Sequence, residues 1–136
     1  MGVAGLDHVA LPAADPEALI GFYGALGFRV PALEAWREAK LPFFSIHFGD
    51  QKINFHAPEM WRRAEFTLRG PTAQPGCGDL CFVWSGGRET LERRLTEVGA
   101  AIEAGPIELD GARGRGTSLY VRDPDGNLVE FIVYPD

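Results

Sequence analysis

Residues 118 to 131 read Ser118-Leu-Tyr-Val-Arg122-Asp-Pro-Asp-Gly126-Asn-Leu-Val-Glu130-Phe131. Two runs rich in β-branched and aromatic residues flank Asp123-Pro124-Asp125-Gly126, a tetrad of turn composition, so the stretch predicts a β-hairpin. Strand side chains alternate between faces, which puts Val129, Phe131 and Val133 on one side and Leu128, Glu130 and Ile132 on the other. Glu130 therefore interrupts an otherwise apolar run. A carboxylate in such a place calls for a cation or a hydrogen-bond donor.

Working outward from this hairpin, the chain repeats itself weakly at about half its length. Residues 6 to 30 run Leu-Asp-His-Val-Ala-Leu, then Asp15-Pro16-Glu17, a stripe Leu19, Phe22, Tyr23, Leu26, then Gly27. Residues 79 to 102 run Asp-Leu-Cys-Phe-Val-Trp, a Gly-Gly turn, a stripe Leu91, Leu95, Val98, then Gly99. Both stripes have the spacing of one apolar helical face. Asp15 and Pro16 suit a helix start, and Gly27 and Gly99 suit helix ends.

Strand-like segments follow each helix: Phe43 to Phe48 and Lys52 to His56 in the first half, Ser118 to Arg122 and Asn127 to Tyr134 in the second. The stretches Val30 to Trp36 and Ile107 to Leu109 supply one more strand each. Each half thus reads βαβββ, an α+β plan with module 1 at about residues 5–57, a linker at about 58–78 and module 2 at about 79–136. The linker region from Ala57 to Gly78 holds three prolines together with Trp61. Its favoured reading is a strap between the modules, pinned by Trp61, with a lid or a dimer contact as the alternatives.

The 136 residues suffice for one domain, and the net charge of -6 argues against nucleic acid, which needs a concentrated excess of Lys and Arg. No window approaches the ~20 apolar residues of a membrane span, and Met1 to Leu6 lacks the pattern of a secretory leader, so a cytoplasmic location is expected. Cys77 and Cys81 read as buried free thiols rather than a secreted-type disulfide framework.

Sorting every strand by parity gives one set that is uniformly large and apolar, suited to packing beneath the helices. The other set gathers His8, Asn54, His56, Asp79 and Glu130, with His47 and Ser45 as candidates from the Phe43 to Phe48 strand. Nitrogen and carboxylate donors from several strands suit a divalent transition metal, Fe, Mn, Ni or Zn. Taken singly, His47 and His56 are more often ordinary hydrogen-bonded strand histidines. Asp7 reads as a turn or solvent residue pointing away from His8.

The closing hairpin quoted above resembles that of the vicinal oxygen chelate superfamily, which includes glyoxalase I, fosfomycin-resistance transferases, bleomycin-binding proteins and extradiol dioxygenases. Leu6 to Leu11 and Gly21-Phe-Tyr-Gly-Ala-Leu-Gly-Phe28 resemble its first strand and helix, so the resemblance covers essentially the whole chain. It implies two βαβββ modules forming a curved mixed sheet around a cleft, a divalent metal, a small-molecule substrate and a homodimer. His8 matches the first-strand histidine, and Glu130 matches the last-strand carboxylate.

Matching Leu80-Cys-Phe82 to Val9-Ala-Leu11 puts Asp79 where the family often has a second histidine, while His56 offers a replacement imidazole. An alignment on Gly27 and Gly99 would instead place Leu80 opposite His8. The strand match keeps the large apolar residues on the helix side. The expected metal ligands are accordingly His8, Glu130, Asp79 and His56. Glu130 and Tyr120 are the expected catalytic residues, and Asn54, His47, Arg113 and Arg115 the expected substrate contacts. Surface charge is the competing role for the two arginines.

The resemblance thus points to a metal-dependent lyase, isomerase or dioxygenase acting on a substrate with neighbouring oxygens. Its alternative is a metal-free protein that sequesters a ligand, similar to bleomycin-resistance proteins. A purely structural module with His8 hydrogen-bonded to Glu130 is the third reading.

Overall fold

A computed structural model describes all residues, Met1–Asp136. The chain divides into two compact units, Met1–Pro75 and Gly76–Asp136. No helix is long and apolar enough to cross a membrane.

The first unit contains β1 (His8–Pro12), α1 (Pro16–Ala25), α2 (Leu33–Arg37), β2 (Phe43–Phe48), β3 (Gln51–His56) and α3 (Pro58–Trp61). Its sheet has the order β1-β3-β2, with β1 parallel and β2 antiparallel to β3. Asp15 accepts from the Ala18 N–H at 3.2 Å and Pro16 opens α1, as the capping signals require. Leu19, Ile20, Tyr23 and Leu26 of α1 and its end are buried, and the Tyr23 ring lies 5.7 Å from that of Phe55 on β3. Ile20, rather than Phe22, completes the buried stripe.

The strand expected at Val30 to Trp36 does not form. Arg29 makes a single antiparallel bridge with His47, and the chain then turns into α2. Pro31 has no N–H to give a ladder, and Ala32 takes a left-handed φ of 58°, so the extended run stops there. Trp36 is turned onto Phe44, ring centroids 5.6 Å apart. The linker packs with this unit: the Trp61 indole N–H donates to the Ala13 carbonyl at 2.8 Å.

The second unit contains β4 (Asp79–Val83), α4 (Arg88–Glu97), β5 (Ala104–Gly111), β6 (Gly114–Arg122) and β7 (Leu128–Val133). The sheet order is β4-β7-β6-β5, with β4 parallel to β7 and the other pairs antiparallel. Leu91 and Leu95 of α4 are buried, as are Phe82, Leu119, Val121, Val129 and Phe131 of the sheet.

The hairpin turn is a hydrogen-bonded hub. Asp123 Oδ1 accepts from the backbone N–H groups of Asp125 and Asn127 at 3.0 and 2.9 Å, and its Oδ2 accepts from the Asn127 amide at 2.8 Å. Asn127 Oδ1 in turn accepts from the Gly78 N–H at 2.7 Å, which ties the hairpin to the start of β4. Asp123 and Asn127 are only 4% and 1% exposed, so these bonds replace water entirely.

Candidate functional site

β7 is flanked on both sides, and this placement defines the chemistry around Glu130. The register sets Cys81 of β4 and Tyr120 of β6 directly beside it. Ser118 pairs with Ile132, two residues further on, and so approaches Glu130 diagonally on the same face. Its hydroxyl donates to Glu130 Oε2 at 2.5 Å. Glu130 is half-buried and Ser118 is fully buried.

The neighbours of Glu130 are held in their protonated forms. Cys81 is exposed on the sheet face, yet partial burial of its sulfur, then the charge and hydrogen bonding of Glu130, push the thiol up to about 12. At neutral pH it is a thiol and a poor metal ligand. Burial, followed by a hydrogen bond to Glu130, also raises the Tyr120 phenol. Three protic groups, Ser118, Cys81 and Tyr120, thus converge on one carboxylate. The reading of both cysteines as buried does not hold: Cys77 and Cys81 are free and exposed, because the face carrying Cys81 is open and Cys77 precedes the sheet.

The first unit repeats this arrangement with different chemistry. Ala10 pairs with Asn54 as Cys81 pairs with Glu130, and Ser45 pairs with Asn54 as Tyr120 pairs with Glu130. His8 and Asp79 occupy matching positions, each two residues before the strand partner of the central polar residue. Ser45 donates to Asn54 Oδ1 at 2.6 Å, which leaves the Asn54 N–H groups for other partners.

His8 and Asp7 do not point apart as expected. His8 Nδ1 lies 2.6 Å from Asp7 Oδ1, and the carboxylate is held below its ordinary range by the hydrogen bond and charge of His8. In the neutral tautomer whose Nδ1–H donates to Asp7, the lone pair would lie on Nε2. Asp7 precedes β1, where alternation no longer sets the direction of a side chain.

His56 pairs with Pro12, whereas His8 pairs with Lys52. Four residues of parallel register separate the two histidines, about 13 Å along the sheet. The structure does not bring them together. His56 stands instead between Phe43 and Phe66, with ring centroids at 6.4 and 5.3 Å, and burial, then the charge of Arg69, lowers its pKa. His47 faces Lys52 across the β2–β3 ladder and is shifted down by burial and then by Lys52 and Arg29.

Arg113 and Arg115 belong to the β5–β6 hairpin. Arg113 lies over the Tyr134 ring at 5.9 Å, and Arg115 pairs with Asp110 at 3.3 Å and Glu108 at 3.9 Å. Arg115 is five residues along β6 from Tyr120, about 17 Å, so it is not a strand neighbour of Glu130. Asp79 is exposed at the start of β4, two residues from Cys81 on the same face. No three His, Cys, Asp or Glu side chains gather at metal-holding distance within the chain.

The sequence profile of the Glyoxalase/Bleomycin resistance protein/Dioxygenase superfamily matches residues 5–131. The chain belongs to this superfamily. The chain is 37% identical over 136 residues to the Glyoxalase domain-containing protein RDO1 of Mycosarcoma maydis, covering all of this chain and 72% of that protein. It is 38% identical over 130 residues to Virulence protein STM3117 of Salmonella typhimurium, covering 95% of this chain and 83% of that protein. The crystal structure of the latter superposes with a TM-score of 0.84, covering 99% of this chain and 100% of that chain at 36% identity. Lactoylglutathione lyase from Agrobacterium tumefaciens shares the fold, with a TM-score of 0.70 at 23% identity over 97% of this chain and 95% of that one.

Proposed function

We propose that the chain is a metal-dependent enzyme of the superfamily, acting on a small molecule that presents two neighbouring oxygens. His8, Asp79 and Glu130 would hold a divalent ion. The observation that carries this reading is the orientation of His8: its Nδ1 lies 2.6 Å from the Asp7 carboxylate, and a carboxylate on one ring nitrogen commonly orients an imidazole that binds a metal through the other. One imidazole and two carboxylates suit Fe, Mn, Ni or Zn. When bound, the ion would supply Lewis-acid polarisation of the substrate oxygens.

The protein's own groups would do the rest. Tyr120, kept protonated beside Glu130, would hold a proton for the substrate at its phenol oxygen. Asn54, its oxygen taken by Ser45, would present N–H donors to a substrate oxygen. His56 stands outside this ligand set, because its register separates it from His8.

A homodimer would complete the site, with His8 of one protomer serving the carboxylates of its partner. β1 and β4 are edge strands, and His8, Asp79, Cys81 and Val83 are exposed on them, which supports contact with a second copy. Metal analysis of tag-free protein tests the proposal: the wild type should carry stoichiometric metal, and His8→Ala and Glu130→Gln should lose it while folded. Mixing the two variants should restore about a quarter of the sites, because only mixed dimers rebuild one intact pair. No recovery on mixing would overturn the shared site.

One observation favours metal-free ligand sequestration instead. Ser118, Cys81 and Tyr120 together can balance the Glu130 charge without a cation. Wild-type protein that holds no Fe, Mn, Ni or Zn would decide for that reading.

A further inference from the structure

The less buried face of the first unit's sheet is graded from end to end. The β2–β3 register sets Phe43 beside His56, Ser45 beside Asn54 and His47 beside Lys52. Successive pairs lie two strand residues, about 7 Å, apart. The face therefore passes from aromatic, through amide, to basic. Phe66 of the linker joins the aromatic end, its ring centroid 5.3 Å from that of His56.

Phe43, His56 and Phe66 are half-buried, so part of each ring meets solvent. The phenyl rings stand at 72° and 75° to the imidazole. Edge-on contacts of this kind leave ring faces unspent, whereas a stack would have used them on one another.

An aromatic cluster often takes an organic cation, but the charges here oppose one. Arg69 is fixed close by: its guanidinium lies over the Trp61 ring at 5.6 Å and donates to the carbonyl oxygens of Trp61, at 2.6 Å, and Ala73. Burial, then the charge of Arg69, lowers the His56 pKa, so the imidazole is an uncharged ring at neutral pH. At the basic end Lys52 and Arg29 both act on His47. Lys52 also acts on Asp7, which offsets one of these two charges and leaves the other.

Asn54 supplies the hydrogen bond between the two ends. Ser45 takes its Oδ1 at 2.6 Å, which leaves the Nδ2 hydrogens to donate. A donor about 7 Å from the ring cluster suits an oxygen carried on a substituent of a bound ring.

We infer that this face binds an aromatic acid, with its ring received by Phe43, His56 and Phe66 and its carboxylate held by Asn54 on the side of Lys52. As a statement of substrate class this rests on the small-molecule function proposed above, while the contacts named are the chain's own and need no metal. A ring with a hydroxyl next to its carboxylate also presents the neighbouring oxygens of that proposal.

The test is an NMR titration of isotope-labelled, metal-free protein in a chelating buffer, with salicylate, benzoate, cyclohexanecarboxylate and benzyltrimethylammonium. Salicylate and benzoate should bind and shift amide resonances of β2, β3 and the linker around Phe66. Cyclohexanecarboxylate, with the same charge and no aromatic ring, should bind about tenfold more weakly, and the ammonium should not bind. Phe66→Leu and Asn54→Ala should each weaken salicylate by about tenfold, and Phe66→Tyr, which keeps the ring, should bind as the wild type does.

A wild type that binds neither aromatic acid would overturn the inference. So would equal binding of the cyclohexane acid, tighter binding of the ammonium, or unchanged salicylate affinity in folded Phe66→Leu or Asn54→Ala. Because no metal is present, each of these results leaves the metal reading to its own test. Binding of the aromatic acids by a chain that takes no metal would uphold the inference and decide for sequestration.

Discussion

Asn127→Asp changes one atom of the hairpin hub and should be among the most damaging conservative substitutions in the chain. The wild-type amide donates to Asp123 Oδ2 at 2.8 Å, with the two residues 1% and 4% exposed. The aspartate would set a second carboxylate oxygen against the first. At an effective dielectric constant of 20, two unit charges about 4 Å apart repel by about 4 kcal/mol. The pair can escape by taking up one proton, which at pH 7 costs about 1.36 kcal/mol for each of roughly three units above the ordinary aspartate pKa, again about 4 kcal/mol. Either route removes a large part of the 5–15 kcal/mol that typically stabilises a domain.

The sign follows from proton linkage. The folded variant binds a proton at the pair that the unfolded chain binds only near the ordinary carboxylate range, so the penalty is full at neutral pH and shrinks toward pH 4. Urea unfolding followed by tryptophan fluorescence at pH 7.5 and 4.5 measures both quantities. In a thermal melt the neutral-pH loss corresponds to about 3–4 °C per kcal/mol for a chain of this length. A variant within 1 kcal/mol of the wild type at pH 7.5, or one whose penalty is the same at both pH values, would refute this account of the turn.

Two further outcomes follow from the titrating groups. His56 is shifted down by burial and by Arg69, so the unfolded chain gains a proton near pH 6.5 that the folded chain does not. Stability should therefore fall as pH drops below that value, and His56→Gln should flatten this part of the profile; identical profiles in urea titrations at pH 7.5 and 5.5 would contradict it. Cys81, with its thiol pushed up to about 12, should be only about one part in ten thousand thiolate at pH 8 and should alkylate far more slowly than exposed Cys77. Glu130→Gln should speed its labelling by iodoacetamide, read by peptide mass spectrometry, and equal rates at Cys77 and Cys81 in the wild type would count against the polar cluster.

Much of the fold is legible in pleat parity. Val129 and Phe131 against Glu130, and Ile53 and Phe55 against Asn54, sort into the buried and the less buried faces that the structure shows. Helix ends were equally readable, because Asp15 and Gly27 act within a few residues of their own position. What failed was less local. Val30 to Trp36 has a strand-like composition, but Pro31 and the left-handed Ala32 break the ladder and send the chain into α2.

The site residues divide in the same way. Parity could place His8 and His56 on one face, but only the parallel register with Pro12 reveals the four-residue separation between them. Ser118 shares its strand parity with Tyr120, and that parity is the one sequence signal that it faces Glu130. Its contact spans 12 residues and depends on the β6–β7 register. The Asp7–His8 bond lies at the strand end, where alternation ceases to constrain direction.

The claim on which the functional account depends is that one imidazole and one carboxylate, His8 and Glu130, grip the same ion. Anomalous diffraction from dimer crystals soaked in Mn²⁺ or Zn²⁺ addresses it directly. The account predicts a peak within bonding reach, about 2.0–2.2 Å, of His8 Nε2 from one protomer and a Glu130 oxygen from its partner. A peak that engages neither side chain, or crystals with no bound ion at saturating concentration, would contradict it.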